Sequence, residues 1–199
     1  KELDPQSADR LIEAAVKVCK EADAVVISDY NYGTATPSLF EAVKHAAAAR
    51  GIPLVVDSRF RLAEFAGATS ATPNQDEVDQ LVDDGESSEQ LEDLCRRLEF
   101  RSLLVTRGNS GMLVVRPGQR LVEIPAVGSL DAVDVTGAGD TVTAAYTLGL
   151  ACGFDEIDAA RLANHAGGLV VMKRGTAVVA ADELAASIAA DRPKAVPAQ

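Results

Sequence analysis

The residue in this sequence best placed to do chemistry is an aspartate at the mouth of a glycine turn. Asp134-Val135-Thr136-Gly137-Ala138-Gly139-Asp140 is a short polar run that opens directly into residues 141–152, a helical segment of small side chains. Gly137, Ala138 and Gly139 let the backbone turn tightly, and they predict bare N–H groups at a helix N-terminus. Such groups, with the positive end of the helix dipole, favour an anion. An anion site avoids negative charge unless that charge does chemistry. The pattern therefore points to Asp140 as a general base beside a pocket for a transferring phosphoryl group. That reaction asks mainly for positioning and charge stabilisation.

Further polar residues close short apolar runs: Asp29 after residues 24–28, Asp57 after 53–56, Asn74 after 68–71, and Thr106 at the end of 101–106. In an open α/β sheet, ligands bind at the carboxyl ends of strands, so these four would share one edge with Gly137–Asp140. Each alone is also an ordinary cap or turn former. In Asn74-Gln75-Asp76-Glu77, Asn74 and Glu77 fall on one face of a helix start. They could hold Mg²⁺ through water or form a capping box, and spacing alone favours the box. Thr106-Arg107-Gly108-Asn109-Ser110-Gly111 is either a turn needing positive φ or a phosphate-binding loop, and spacing alone favours the turn.

The elements that must position these residues are legible from punctuation and period. Asp4-Pro5 and Thr36-Pro37 are helix starts, and Gly51 is a stop. Helices are expected over 5–19, 37–50, 61–65, 75–82, 88–98, 141–152, 155–172 and 181–189, with the tail frayed. The runs 24–28 and 53–56 read as strands buried on both faces, and 68–71 as a weak strand. Residues 111–115 and 120–125 flank Pro117-Gly118 as a hairpin. Alternating strand and helix gives an α/β class with a mostly parallel sheet.

Composition narrows the partners. The chain has 199 residues, 47% of them hydrophobic, 25% charged and only 4% aromatic. A net charge of −11 argues against nucleic acid or an anionic membrane. An anionic ligand would need local cations, for which Arg59, Arg61, Arg107, Lys173 and Arg174 are candidates. The cysteines (Cys19, Cys95, Cys152) form no CxxC pair, which fits a reducing cytoplasm. No Walker A pattern occurs, and Val142 stands where a dinucleotide fingerprint needs its third glycine. With two histidines, His45 and His165, and no HExxH or GxSxG, metallohydrolase and serine-hydrolase readings are disfavoured.

The run DVTGAGD followed by a small-residue helix resembles the C-terminal signature of the ribokinase-like (PfkB) sugar kinases. The likeness continues through Ser28-Asp29-Tyr30, Val56-Asp57-Ser58-Arg59, Thr72-Pro73-Asn74 with Glu77, Leu104-Val105-Thr106-Arg107-Gly108, and Ala163-Asn164 to Gly175-Thr176. Within that family the chain looks most like the heptose-7-phosphate kinases. The resemblance implies a three-layer α/β/α fold. Residues 1–192 would be the C-terminal two-thirds of a kinase domain, 193–199 a disordered tail, and the N-terminal strands and β lid would be absent. The sheet edge so exposed would favour a homodimer.

The same resemblance implies residue roles. Asp140 would be the base, with Gly137, Ala138 and Gly139 as the anion hole. Asn74, Gln75, Asp76 and Glu77 would lie at the nucleotide phosphates, with Asn74 and Glu77 on hydrated Mg²⁺. Thr106, Arg107, Gly108 and Gly111 would line ATP, and Asn164 out to Gly168 its adenine side. Asp134 and Thr136 would join a monovalent-cation site, possible for K⁺. Asp29, Tyr30, Asp57 and Arg59 would meet the acceptor, a small sugar or sugar phosphate. Asp57-Ser58-Arg59 departs from the Asp-Pro-Lys expected of heptose kinases, and Arg does not reproduce a lysine's point geometry. The implied reaction converts heptose 7-phosphate to the 1,7-bisphosphate. The alternatives are another sugar or nucleoside kinase of the fold, or a truncated nucleotide-binding module without catalysis.

Overall fold

A computed structural model describes residues 3–128 and 132–191; the expected tail, 193–199, lies outside them. Local signals fix the first elements. Asp4 caps helix α1 (Pro5–Cys19) by accepting the Ser7 N–H at 3.0 Å, with Pro5 in the first turn. Strand β1 is Val25–Asp29. Helix α2 (Pro37–Arg50) is capped by Thr36 and stopped by Gly51 in the left-handed conformation. Strand β2 (Leu54–Ser58), a 3-10 turn (Leu62–Phe65) and the two-residue strand β3 (Ser70–Ala71) follow. Then come α3 (Gln75–Val78), α4 (Ser88–Arg97), β4 (Ser102–Thr106), β5 (Met112–Val115) and β6 (Val122–Ile124). Helices α5 (Ala138–Ala151), α6 (Glu156–Val170) and α7 (Ala181–Asp191) are the last of the described elements.

Among the described residues six strands run in the order β1-β2-β3-β4-β5-β6, the first four parallel, with β5 antiparallel to both β4 and β6. Side chains alternate across the sheet and so build two cores. Val56, Leu103, Val105, Leu113 and Val115 pack with residues of α1, α2 and α4, where Phe40 and Phe65 meet edge to face at 5.2 Å. Val55, Leu104, Met112 and Val114 pack with residues of α5 and α6. The result is the expected three-layer α/β/α fold. Gly149 lets α5 approach α6 closely, since a Cβ there would lie 2.9 Å from the Ala159 Cβ.

Three expectations need correction. Helix α3 ends at Val78 rather than continuing to residue 82, because a tight turn takes over: the Leu81 N–H donates to the Val78 carbonyl at 2.8 Å. Strand β1 is not buried on both faces. It stands at the end of the sheet, and Val26 on its α5 side is 41% exposed. The glycine run is not all turn either, for Gly137 alone has φ +75 and α5 begins at Ala138.

Hydroxyl bonds seat α5 over the sheet. Tyr146 shares buried hydrogen bonds with Ser70 and Ser102, at 3.1 and 2.9 Å. The Thr72 and Thr143 hydroxyls meet at 2.8 Å, one turn beyond Asp140. These contacts place the start of α5 above the carboxyl ends of β1 to β4. Among the described residues no helix is long and apolar enough to cross a membrane.

Candidate active site

The strand ends and the start of α5 enclose a cleft of about 760 Å³. Tyr30, Asp57, Arg59, Asn74, Gln75, Asp76, Glu77, Thr106, Arg107, Gly108, Gly137, Ala138, Gly139 and Asp140 line it. An adjoining cavity of about 190 Å³ is lined by Thr106, Gly108, Gly111, Asn164 and Gly168 with apolar neighbours such as Met112 and Val142. Residues as far apart in the chain as Tyr30 and Gly168 thus converge on one sheet edge. A groove of about 990 Å³ between α4 and the β5–β6 hairpin is larger, but it gathers glutamates around Arg107 and Arg120 away from Asp140.

At the helix start, the Ala138 N–H already donates to the Val135 carbonyl at 3.1 Å, so it is not bare as expected. A first turn still leaves the N–H groups of Gly139 and Asp140 without intrahelical acceptors. A Cβ added at Gly108, Gly137 or Gly139 would meet nothing within 4 Å, so these backbones border open space that a ligand could fill. Asp140 is exposed and lies in the first turn, and the Tyr30 hydroxyl donates to its Oδ1 at 2.8 Å. That bond, then burial, holds the Tyr30 phenol above its usual pKa.

Asn74 and Glu77 form the full capping box: Asn74 Oδ1 accepts the Glu77 N–H at 2.9 Å, and the Asn74 N–H donates to Glu77 Oε2 at 3.0 Å. Both residues also line the cleft, so the structural and binding readings coexist. Burial raises the Glu77 pKa. Gln75 donates to Asp79 at 2.8 Å. Asp57 is pushed up to about 6, first by burial and then by the charges of Glu77 and Asp140, with Arg59 opposing. Among the described residues no three His, Cys, Asp or Glu side chains gather as a metal cage, and oxygen donors such as Asn74 and Glu77 suit a hard cation that keeps most of its water.

The Asp57 shift has a measurable consequence. Where a carboxyl is harder to ionise in the folded chain, the unfolded chain ionises first, and stability falls as pH rises from about 4 to about 6. Above that window the loss is complete and constant. Asp57→Asn should therefore raise the melting temperature at pH 7.5 but not at pH 4. An equal difference at both would show that Asp57 carries no burial cost.

Asp29, expected at the acceptor, is not among the residues that line the cleft. Its side chain is 2% exposed and forms an ion pair with Arg61 Nε at 3.1 Å. It also accepts the Ser58 hydroxyl at 3.0 Å and the Asn31 N–H at 3.0 Å. A buried carboxylate needs such donors, and the cleft offers none of them. Arg61 is thereby committed, as is Lys173, which pairs with Glu183 at 2.7 Å, while Arg174 lines neither cavity. Arg59 and Arg107 remain as the cleft's cations, the latter 3.7 Å from Glu123.

Asp134 spans two loops, accepting the Thr136 N–H at 2.9 Å and the Gly175 N–H at 2.8 Å, and these amides lower its pKa. Asn164 donates to the Pro125 carbonyl at 2.7 Å at the wall of the smaller cavity. His165 is buried against Ser187 at 2.9 Å and His45 is on the surface, so neither enters the cleft. Ser58, Arg61 and Thr143 act as organisers through partners 29, 32 and 71 residues away, which no local pattern reveals.

Comparison with known proteins decides the family: the model of the pfkB family carbohydrate kinases matches residues 2–183. The chain belongs to this family. Among similar proteins, the Bifunctional protein HldE of Caulobacter sp. (strain K31) is 42% identical over an alignment of 172 residues that covers 83% of this chain and 35% of that protein. The Bifunctional protein HldE of Geotalea uraniireducens is 36% identical over an alignment of 193 residues that covers 94% of this chain and 39% of that protein. The chain thus spans little more than a third of the length of these curated relatives. Among solved structures, Phosphofructokinase-2 from Escherichia coli, in complex with potassium, superposes with a TM-score of 0.80 at 22% identity, over 95% of this chain and 63% of that one. Arabidopsis thaliana ribokinase complexed with ribose and ATP gives 0.76 at 22%, over 88% and 59%. At that identity the structural likeness establishes the ribokinase-like PfkB fold.

Proposed function

We propose that this chain carries the nucleotide site and the base of an ATP-dependent kinase that phosphorylates a hydroxyl of a sugar or sugar phosphate. The best-supported acceptor is heptose 7-phosphate, giving the 1,7-bisphosphate. One observation carries the reading: Asp140, in the first turn of α5, shares a single cleft with Arg59, Arg107 and the Asn74–Glu77 pair.

In this reading Asp140 accepts the proton of the attacking hydroxyl, and the Gly139 and Asp140 N–H groups meet the charge that grows on the migrating phosphoryl oxygens. Gly137 and Ala138 shape that corner. Arg107, Thr106 and Gly108 face the phosphates of ATP, while the smaller cavity, with Gly111, Asn164 and Gly168, takes the base. Asn74 and Glu77 would hold Mg²⁺ through water. Bound there, Mg²⁺ would offset charge on the triphosphate. Asp134 and Thr136 would brace the loop at a K⁺ site. Arg59 and Asp57 face the acceptor. Sugar-kinase family membership and the likeness to HldE proteins support the reading, as does a fold shared with a ribokinase complexed with ribose and ATP.

The test is ADP release by the full-length gene product, supplied with Mg-ATP and heptose 7-phosphate, ribose, fructose or a nucleoside in turn. Heptose 7-phosphate should give the highest kcat/KM. A different preferred acceptor would move the protein to another branch of the family. ATP binding without phosphorylation of any acceptor would leave the non-catalytic reading.

A further inference from the structure

We infer that Tyr30 is a positioning residue for the Asp140 carboxylate, holding one oxygen so that the other faces the acceptor; this rests on Asp140 being the base. The Tyr30 hydroxyl reaches Asp140 Oδ1 at 2.8 Å across 110 positions of sequence. Among the described residues it is the one side chain that hydrogen-bonds this carboxylate. Asp140 is otherwise exposed, and an exposed aspartate in a first helical turn is free to exchange rotamers. A carboxylate offers two oxygens. Fixing Oδ1 on a phenol leaves Oδ2 as the oxygen that can take a proton at a defined place.

Tyr30 can do this because it is itself held on several sides. The Arg59 guanidinium lies 5.0 Å over its ring, and the Tyr32 ring stacks on it at 6.5 Å and 13°. Its backbone is pinned from below. The Asn31 N–H donates to buried Asp29, Arg61 Nε pairs with Asp29, and Arg61 Nη2 donates to the Ala35 carbonyl at 2.6 Å. The ion pair that buries Asp29 therefore fixes the segment from which Tyr30 extends. Arg59, where a lysine was expected, supplies a planar cation suited to lie over an aromatic face.

The rival role for Tyr30 is direct contact with the acceptor. A contact of that kind, made equally in ground and transition states, raises acceptor KM and leaves kcat alone. Misplacing a base lowers kcat instead, by up to about 100-fold for a displacement of about 1 Å. Tyr30→Phe removes only the hydroxyl and keeps the ring under Arg59, so folding should survive; a melting curve checks this.

The experiment measures kcat, acceptor KM and ATP affinity for the full-length wild type, Tyr30→Phe, Asp140→Asn and the double variant. Expected is a loss in kcat of about 10- to 100-fold for Tyr30→Phe, with acceptor KM and ATP affinity within about twofold of wild type. In the Asp140→Asn background the second substitution should cost nothing more, because residues acting through one group are not additive. A raised KM at unchanged kcat, or full additivity, would overturn the inference and leave the base assignment standing. A wild-type rate in Asp140→Asn would overturn the base assignment and this inference with it.

Discussion

Asp140→Asn should lower kcat by about 10²- to 10⁴-fold, the usual contribution of a positioned general base, and leave ATP binding close to wild type. The substitution keeps volume and shape, so the first turn of α5 and its N–H groups stay where they are. An amide oxygen can still accept from the Tyr30 hydroxyl, now 2.8 Å from Oδ1. What is lost is the ability to take a proton. Because the removed charge lies beside the triphosphate pocket, ATP should bind as well as before or slightly better, since like charges repel. Rates from ADP release and affinity from calorimetry separate the two effects. Near wild-type turnover would take Asp140 out of the mechanism. A parallel fall in rate and ATP affinity would instead assign it to nucleotide binding.

How much of this was legible beforehand follows from how far each signal reaches along the chain. Caps and stops act within one turn, so Asp4-Pro5, Thr36-Pro37, Gly51 and the Asn74–Glu77 box appear in the structure as read. The sheet edge was legible for the same reason, because Asp29 and Asp57 directly follow apolar runs and Thr106 ends one. What depends on a distant partner was not legible. Asp29 reads like the other carboxylates, and only Arg61, across a separation of 32 residues, decides that it turns inward. An apolar run does not reveal whether both faces are covered, so 24–28 reads as buried on both faces although Val26 lies open. The family likeness supplied roles for residues whose spacing alone allowed a blander account.

Arg61→Ala should be the most destabilising single change around the site, by about 3–5 kcal/mol, the usual result of removing one partner from a buried ion pair. Asp29 keeps 2% of its side chain exposed and Arg61 21%, so bulk water cannot replace the lost guanidinium. Ser58 and the Asn31 N–H would remain as donors, but neither carries charge. The Ala35 carbonyl would also lose the Arg61 bond, so both ends of the segment beneath Tyr30 would loosen together. For a chain of this length such a loss lowers the melting temperature by roughly 10 °C. Urea unfolding of Arg61→Ala, Asp29→Asn and the double variant provides the check. Asp29→Asn should cost less than Arg61→Ala because it strands no buried anion, and the double variant should be more stable than Arg61→Ala alone. If Arg61→Ala costs no more than an exposed ion pair, under about 1 kcal/mol, Asp29 must be hydrated. Its role as the anchor beneath Tyr30 would then fail, whatever Asp140 does.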